Sequence, residues 1–436
     1  MMSEKNFFQS LPYFILISLG TLAFWYFQRE DIGMLVYGLI VFILLAFFKN
    51  SLHSIPYILN ALFMISQTEW DLTTIPLFLY YVPMAAVIGM IIHSIIYKTN
   101  IFKGKFFVGV ALLAVAALVS TVINDFGFDM NVLMILVVAV FLVSLYGFFA
   151  NSLEFDNNVY LIKVFAVLGG MIACQVALYY LNPEVDIQYA LEHKTINLGW
   201  GISNFIATYL IIFISTTVYF VKKYKLHIIW IIIMLFEVAM LAFTLSRAGI
   251  IAFIVTSILL IIYMFVGYER KGNLLFNLVL GFVVASGIAY LFKDYFITIW
   301  DRLELFGLDD NGRLAIWQDG WSKFTENLWF GAGVFAREVD EGLRMYHNTV
   351  LNILAWFGIF GGIALLIQFF SFVKIFLFRF SSEKAILLIA LIGANLQGMV
   401  DNTYMMPQYM IIMFITIAIV ENANKIDKLR LDLSIR

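Results

Sequence analysis

Three arginines and one histidine in the second half of the chain are the residues best suited to chemistry. Arg247 stands in TLSRAGIIAF, Arg313 in DDNGRLAIW, and Arg344 and His347 in RMYHNTVLNILAWFGIFGGIALL. A planar guanidinium binds phosphate in a bidentate manner, and an imidazole titrates near neutral pH and can act as an acid or a base. Metal-ligand spacing is absent. These residue types therefore indicate an anionic diphosphate and an acid–base step, with no metal or other cofactor.

Each of these residues also has a plainer explanation. An arginine at the end of a membrane span, such as Arg247, often extends its charge to the interface. Arg313 is close in sequence to Asp309 and Asp310, which would neutralise it in a surface ion pair. A single histidine is commonly satisfied by local hydrogen bonds. The chemical interpretation therefore depends on the four residues meeting at one place.

Two acids complete the candidates. Glu237 lies in the middle of an apolar run, where we expect it to satisfy a partner inside the protein. Asp401 follows another apolar run, at a position from which it could reach the arginines and the histidine.

The elements that must position these residues are membrane-spanning helices. Of the 436 residues, 63% are hydrophobic and 13% are charged, whereas soluble domains are about half apolar and about a quarter charged. Apolar runs of the ~20 residues needed to cross ~30 Å of hydrocarbon recur along the chain. We predict an all-α polytopic membrane protein, with one membrane domain over 1–436. A single cysteine excludes a disulfide framework, and we expect no nucleic-acid partner.

The candidate spans suggest about 12–14 transmembrane helices. They are residues 8–27, 32–48, 55–66, 74–97, 105–123, 131–150, 159–182, 200–221, 226–244, 246–267, 273–292, 349–372, 384–400 and 406–421. The run 55–66 is short and is either a crossing or a re-entrant segment. The first run follows one lysine and no small-residue cleavage site, so we expect a retained span rather than a signal peptide.

Lys and Arg cluster in alternate connections between these spans. The clusters are Lys98, Lys103 and Lys105; Lys222, Lys223 and Lys225; Arg270 and Lys271; Lys374 and Arg379; and Lys425, Lys428 and Arg430. Counting spans places all of them on one side, which the positive-inside rule identifies as the cytoplasm. Both termini are then cytoplasmic.

Residues 293–348 are the longest non-membrane segment and form an extracytoplasmic loop of unusual length. Within it, apolar residues at 314, 317, 321 and 324 give one stripe on a helix, preceded by capping residues at 309–311. Trp317 and Trp321 on this stripe suit an amphipathic helix in the membrane interface. The alternative is a helix packed on the protein's own membrane domain.

The order and spacing of these motifs resemble the O-antigen ligase/polymerase family of bacterial membrane glycosyltransferases. The resemblance is close over 240–366 and is carried by LSRAG, by NGRLAIWQDGWSKFTENLWFGAGVF and by YHNTVLNILAWFGIFGG. The family pattern maps onto Ser246 and Arg247, Gly312, Arg313 and Trp317, Gly331 and Gly333, His347 and Asn348, and Gly358, Gly361 and Gly362. Ala248 replaces a usual glycine and Asn327 a frequent proline, and neither change removes a functional side chain.

The resemblance implies a membrane glycosyltransferase of GT-C-like architecture, working without a cofactor at the outer face of the bacterial plasma membrane. Its donor would be a glycan on undecaprenyl diphosphate, and its acceptor a hydroxyl on a glycan or lipid-linked acceptor. Arg247 and Arg313 would stabilise the departing diphosphate. His347 would be the acid/base that deprotonates the acceptor hydroxyl, which we favour, or would stabilise the departing diphosphate. The substrate-binding residues would be Arg344, Asn348, Ser246 and Trp317. Membrane lipid and other polysaccharide assembly proteins are the further partners implied.

Two activities exist within this family. A polymerase joins repeat units on the carrier, whereas a ligase moves the finished chain to a final acceptor. We favour a polymerase, because capsule and exopolysaccharide pathways need one broadly, whereas a lipid-core ligase requires an outer membrane. A lipid-linked sugar flippase or transporter would need charges along the depth of a cavity, and few mid-span charges are present. A non-catalytic scaffold would not require the basic outer loop.

Overall fold

In the computed structural model, the described residues are 7–66, 76–126, 130–223, 227–266, 271–291, 293–305, 312–334 and 345–434. Within these ranges the chain is helical, with one isolated bridge between Asn197 and Ile202. Several residues used in the sequence analysis lie outside the described residues. They are Arg344, Asp309, Asp310, Asn311, Lys225 and Arg270.

Apolar helices occupy nearly all of the predicted spans. In chain order the helices are α1 (Leu11–Tyr26), α2 (Glu30–Phe47), α3 (Ile55–Ala61), α4 (Tyr81–Tyr97), α5 (Phe107–Thr121), α6 (Met130–Ser152), α7 (Asn158–Leu181), α8 (Ile187–His193), α9 (Ser203–Lys223), α10 (His227–Phe243), α11 (Arg247–Phe265), α12 (Lys271–Leu291), α13 (Lys293–Leu305), α14 (Arg313–Glu326), α15 (Thr349–Leu377), α16 (Ser382–Gly398) and α17 (Pro407–Ser434). In the described part of the chain, 8 helices are long and apolar enough to cross a bilayer, accompanied by shorter apolar helices of 10–17 residues. The protein is an all-α polytopic membrane protein, as the sequence predicted.

Helix α9 runs through the middle of the bundle. Every residue from Ile206 to Val221 is buried, and α9 packs against α7, α10, α11 and α16. A helix that is apolar on all sides belongs in the core of a large protein or in a membrane. The centre of the bundle is therefore filled by side chains of the protein itself.

The short run 55–66 returns along α2 as a broken segment. Its helix α3 has 7 residues, about 10 Å at ~1.5 Å per residue, too short to cross alone. A 3₁₀ turn precedes α3 and non-helical chain follows it. The segment begins just after the end of α2, and at its other end Ser66 Oγ donates to Glu30 Oε1, at the start of α2, at 2.8 Å. The run therefore extends along the full length of α2.

Irregular backbone within the apolar layer needs partners inside the protein, since lipid offers none. Gln175 Nε2, on α7, donates to the carbonyl of Phe63 at 2.9 Å. The side chain of Asn60 donates to the carbonyl of Pro56 at 2.9 Å and accepts from Ser18 at 3.0 Å. These bonds allow the segment to run through the bundle without an intact helix.

Described residues of four of the basic clusters lie at one end of the bundle, called here the basic end. Lys223 forms an ion pair with Glu383 (3.4 Å) and Lys425 one with Glu421 (3.9 Å). Arg379 Nη1 donates to the carbonyl of Asp427 (3.0 Å), and the Lys105 N–H donates to Glu421 (2.9 Å). The opposite end, where α9, α11 and α15 begin, is called the site end.

Two helices of the long loop pack on the site end. Helix α13 packs on α8, and α14 on the start of α15. At Gly320, in the middle of α14, a Cβ would lie 2.7 Å from the Tyr346 ring. Along the predicted apolar stripe Phe324 is buried, whereas Leu314 and Trp321 are 58% and 56% exposed. Helix α14 thus packs on the protein's own membrane domain along one side and leaves apolar side chains uncovered on another.

A turn that contains Gly331 and Gly333 packs against a break in α15. The break is at Gly358, where φ is 61° and ψ is −155°. The N–H groups of Ala332 and Gly333 donate to the carbonyls of Ala355 (2.8 Å) and Trp356 (3.0 Å), and the Ile359 N–H donates to the carbonyl of Leu328 (2.9 Å). Backbone groups freed by the break are thereby satisfied by the turn.

We expect Gly331→Ala and Gly358→Ala each to destabilise the protein by about 2 kcal/mol, measured as a lower thermal midpoint in detergent. Both glycines have positive φ, and an added Cβ would lie 2.3 Å and 2.4 Å, respectively, from backbone atoms of the facing segment. Gly287→Ala is the control, because a Cβ there meets nothing within 4 Å. A wild-type midpoint in Gly331→Ala would contradict the close backbone packing.

Candidate active site

Arg247 is the first residue of α11, and Ser246 is the N-cap of that helix. Ser246 Oγ accepts from the Gly249 N–H at 3.1 Å, as serine commonly does at a helix start. Leu245, just before the cap, has a φ of 57°, which turns the chain sharply from α10 into α11. Arg247 is half-buried at the site end, beside a helix N-terminus whose partial positive charge also favours anions.

His347 precedes the start of α15 in the same way. Asn348 is the N-cap: its Oδ1 accepts from the Leu351 N–H at 3.0 Å, and its Nδ2 donates to the carbonyl of Met399 at 2.9 Å. His347 itself has a φ of 48°. This left-handed conformation is uncommon for residues other than glycine, and such residues cluster at functional sites.

A buried carboxylate holds the imidazole of His347. Asp401 is 3% exposed, and its Oδ1 lies 3.2 Å from His347 Nδ1. It also accepts from the Asn402 N–H at 2.8 Å and from Asn204 Nδ2 at 2.6 Å. Burial by itself raises the pKa of Asp401, but the hydrogen bonds from His347, Asn402 and Asn204 together hold that pKa below its usual value.

The ionised carboxylate decides which nitrogen of His347 carries the proton. A carboxylate only accepts hydrogen bonds, so Nδ1 must donate to Asp401. In the neutral imidazole, Nε2 is then left as the acceptor. The side chain of His347 is 39% exposed, so solvent or a substrate can reach it. This arrangement suits a general base whose tautomer and orientation are held by an acid.

Asn204, in the first turn of α9, connects this pair to the start of α11. Its Oδ1 accepts from Ser246 Oγ at 2.9 Å and from Lys194 Nζ at 3.0 Å, whereas its Nδ2 donates to Asp401. The two donors on one side and the carboxylate on the other determine the orientation of the amide. A continuous hydrogen-bonded chain therefore runs from Lys194 to His347.

Arg313 and Trp317 lie on α14, which covers the site end. Arg313 is the first residue of the helix, after Gly312 with its φ of 74°. Trp317 is half-buried one turn later, and its buried indole N–H makes no hydrogen bond with the described residues. Helix α14 meets the start of α15 through Gly320 and Tyr346, the residue before His347.

Hydrogen bonds thus connect Ser246, the residue before Arg247, with His347, the residue before Asn348. They also add three side chains that the sequence ranked low or missed. Asp401 carried one signal, an acid at the end of an apolar run. Lys194 and Asn204 carried none, because polar residues are ordinary beside a span. Glu237 lies apart, buried within the bundle and accepting from Thr217 at 3.1 Å. Among the described residues no group of three or more His, Cys, Asp and Glu could hold a metal.

We expect Asn348→Ala to weaken the start of α15 by about 1 kcal/mol, because the cap and the bond to Met399 are both lost. Hydrogen–deuterium exchange should then be faster in peptides covering 345–352. Ser381→Ala is the matched control, since Ser381 caps α16 at the basic end through the Lys384 N–H. Exchange at 345–352 that is unchanged in Asn348→Ala would contradict this role of the cap.

Comparison with protein families matches residues 229–366 to the O-antigen ligase family. No curated protein shows significant similarity to the chain. The matched segment contains Ser246, Arg247, Arg313 and His347, and it overlaps the motif region at 240–366. The segment also contacts polar residues outside itself at Asn204 and Asp401. This match supports the O-antigen ligase/polymerase family, which the motifs of residues 240–366 resemble.

Proposed function

We propose that the protein is a polysaccharide polymerase. It transfers oligosaccharide repeat units from undecaprenyl diphosphate onto a growing glycan at the outer face of the bacterial plasma membrane. The observation that carries the proposal is the His347–Asp401 pair, connected through Asn204 to the start of α11. A base and a cation suited to diphosphate, Arg247, thus occupy one end of a membrane bundle.

In the proposed reaction, an acceptor hydroxyl attacks the anomeric carbon of the donor sugar. His347 Nε2 takes the hydroxyl proton as the new carbon–oxygen bond forms, and Asp401 stabilises the resulting imidazolium. The bond from the anomeric carbon to the diphosphate breaks, and its electron pair leaves on the diphosphate oxygen. Arg247 and Arg313 stabilise that negative charge.

The Asp401 contact supports the base role of His347 over the alternative, in which the histidine stabilises the departing diphosphate. That alternative needs a lasting imidazolium aimed at the leaving group. The base role needs only a neutral ring with Nε2 available, which the donation from Nδ1 to Asp401 provides.

An apolar cavity near the site end suits the polyprenyl tail of the donor. It has a volume of about 410 Å³ and lies between α5, α6, α17 and the break in α15. Met345, two residues before His347, and Met405, four residues after Asp401, are among its lining residues. A tail in this cavity would bring its diphosphate to the interface, where the arginines and the histidine stand.

The membrane orientation that we propose rests on the distribution of charge. The basic end carries the clustered lysines and arginines, so the positive-inside rule puts it in the cytoplasm and the site end outside. The late part of α17 lies at the basic end through Lys425 and Glu421, and Lys163 near the start of α7 donates to the carbonyl of Gln9 at 2.9 Å. These contacts place Lys425 and Gln9 at the basic end, which supports two cytoplasmic termini.

A flippase or transporter is less well supported than an enzyme. Moving a glycan across the membrane needs a polar path through the protein. Here α9 is buried from Ile206 to Val221 and fills the centre of the bundle. The polar groups of the site are instead gathered at one end. A ligase remains the alternative within the family, since it would use the same groups on a different final acceptor.

We expect His347→Ala to lower glycan transfer about 1000-fold and Arg247→Ala about 100-fold. The measurement uses purified protein in liposomes with a lipid-diphosphate-linked oligosaccharide, and products are separated on a gel. A ladder of longer chains supports a polymerase, whereas transfer only after a second acceptor is added identifies a ligase. Movement of the lipid across the bilayer without covalent change would overturn the enzyme proposal.

Two variants at the same end of the bundle serve as controls for these losses. His193 is exposed and stacked on Tyr189 at 4.0 Å, and Arg29 is exposed and paired with Asp31 at 3.3 Å. His193→Ala and Arg29→Ala should keep wild-type transfer. Equal losses in the control and site variants would contradict the assignment of Arg247 and His347.

We expect Ala114→Trp to raise the KM for a donor with a full-length polyprenyl tail about tenfold, because the indole occupies part of the cavity and removes apolar contact with the tail. A donor with a short tail should be affected much less. Val115→Trp is the matched control, since Val115 is the next residue on α5 and is 54% exposed on the outside of the bundle. Equal KM values in both variants would contradict tail binding in this cavity.

A further inference from the structure

We infer that Asn204 is a positioning residue that sets the spacing between Arg247 and His347. The inference rests on the proposed function, in which Arg247 binds the diphosphate and His347 accepts the proton. It adds a residue that lies outside the matched segment and on a different helix from both groups. Asn204 is not proposed to touch substrate, and it acts through Ser246 and Asp401.

The side-chain amide of Asn204 bonds in two directions. On one side its Oδ1 accepts from Ser246 Oγ at 2.9 Å, and Ser246 caps the helix that begins with Arg247. On the other side its Nδ2 donates at 2.6 Å to Asp401, which holds His347. One side chain therefore connects the segment that carries the cation to the pair that carries the base.

This connection requires an amide. The Ser246 hydroxyl accepts from the Gly249 N–H and so offers its own proton to Asn204. Asp401 offers only acceptor atoms. The residue between them must accept on one side and donate on the other. An aspartate in place of Asn204 would set two carboxylates against each other, and a leucine would leave both neighbours without this partner.

The helix that carries Asn204, α9, is held rigidly by its burial in the bundle. Asn204 lies in the first turn of α9, and the next turns, from Ile206 onward, are fully buried. Thr208 Oγ1 donates to the carbonyl of Asn204 at 3.1 Å. Reacting groups held on a rigid element keep the small tolerances that catalysis needs, and a misplacement of ~1 Å can cost about 100-fold in rate.

Lys194 supports the same amide from a third direction. Its Nζ donates to Asn204 Oδ1 at 3.0 Å, and it directly follows α8, on which α13 of the long loop packs. Among the described residues, the charged groups that bond to the Asn204 side chain are thus Lys194 and Asp401. Because Ser246 still donates to Oδ1 in its absence, Lys194→Met should have a smaller effect than a change of Asn204.

The test measures transfer kinetics of Asn204→Asp and Asn204→Leu, using the full-length protein in liposomes with the lipid-diphosphate-linked oligosaccharide. We expect kcat to fall about 10- to 100-fold, with KM within about twofold of wild type, because the reacting groups shift while the apolar cavity proposed to bind the tail remains. Thr216→Val is the matched control on α9: its hydroxyl is buried and donates to the carbonyl of Phe213 at 2.7 Å. It should keep wild-type kcat.

A double substitution separates positioning from a general loss of structure. In the Asp401→Asn background, Asn204→Leu should lower kcat much less than it does alone, because its effect passes largely through Asp401. If the fold-loss in kcat of the double variant equals the product of the losses in the two single variants, the positioning role is overturned. Wild-type kcat in Asn204→Asp would also overturn it. A wild-type protein that transfers no glycan from a competent donor would overturn the proposed function itself, which is a different result from either of these.

Discussion

A carboxylate buried at the end of a membrane bundle must accept hydrogen bonds from several donors. This requirement determines which elements meet at the site end of the molecule. Asp401 is almost completely buried and accepts hydrogen bonds from the His347 imidazole, the Asn402 N–H and the Asn204 side-chain amide. Without them its charge would cost several kcal/mol. Since His347 comes from the start of α15 and Asn204 from α9, satisfying Asp401 draws these elements together.

The same requirement governs the backbone where helices are interrupted. The segment 51–66 runs along α2 without an intact helix because its polar groups have partners inside the protein. Gln175 on α7 donates to the Phe63 carbonyl, and Asn60 accepts from Ser18 on α1 and donates to the Pro56 carbonyl. The break at Gly358 is matched by the turn that contains Gly331 and Gly333, whose N–H groups and carbonyls exchange bonds with α15. Within an apolar layer, irregular backbone persists only where the protein supplies partners. The glycines of the family-like motif thus serve backbone packing.

Much of the fold followed from the sequence, since a run of about 20 apolar residues is stable in a bilayer as a helix. Most of the long helices agree with the predicted runs to within a few residues, whereas α17 continues to Ser434, well past the predicted end at 421. The sequence did not decide whether the run 55–66 crosses the membrane or re-enters, because its path depends on hydrogen bonds with Gln175 and Glu30 in other elements. For α14, the apolar stripe predicted a helix, but the stripe could not show that Phe324 packs inward while Trp321 is left uncovered.

The sequence by itself determined the class of fold and the side chains able to do chemistry, because helix formation in lipid and the reactivity of arginine and histidine belong to local residue types. Only the tertiary structure decided which polar groups meet. Asn204 lies 197 residues from Asp401, and His347 lies 54 residues from the same carboxylate. No local pattern encodes a hydrogen bond across such separations. It forms because packing of α9, α15 and α16 brings the donors to a buried charge that has to be satisfied.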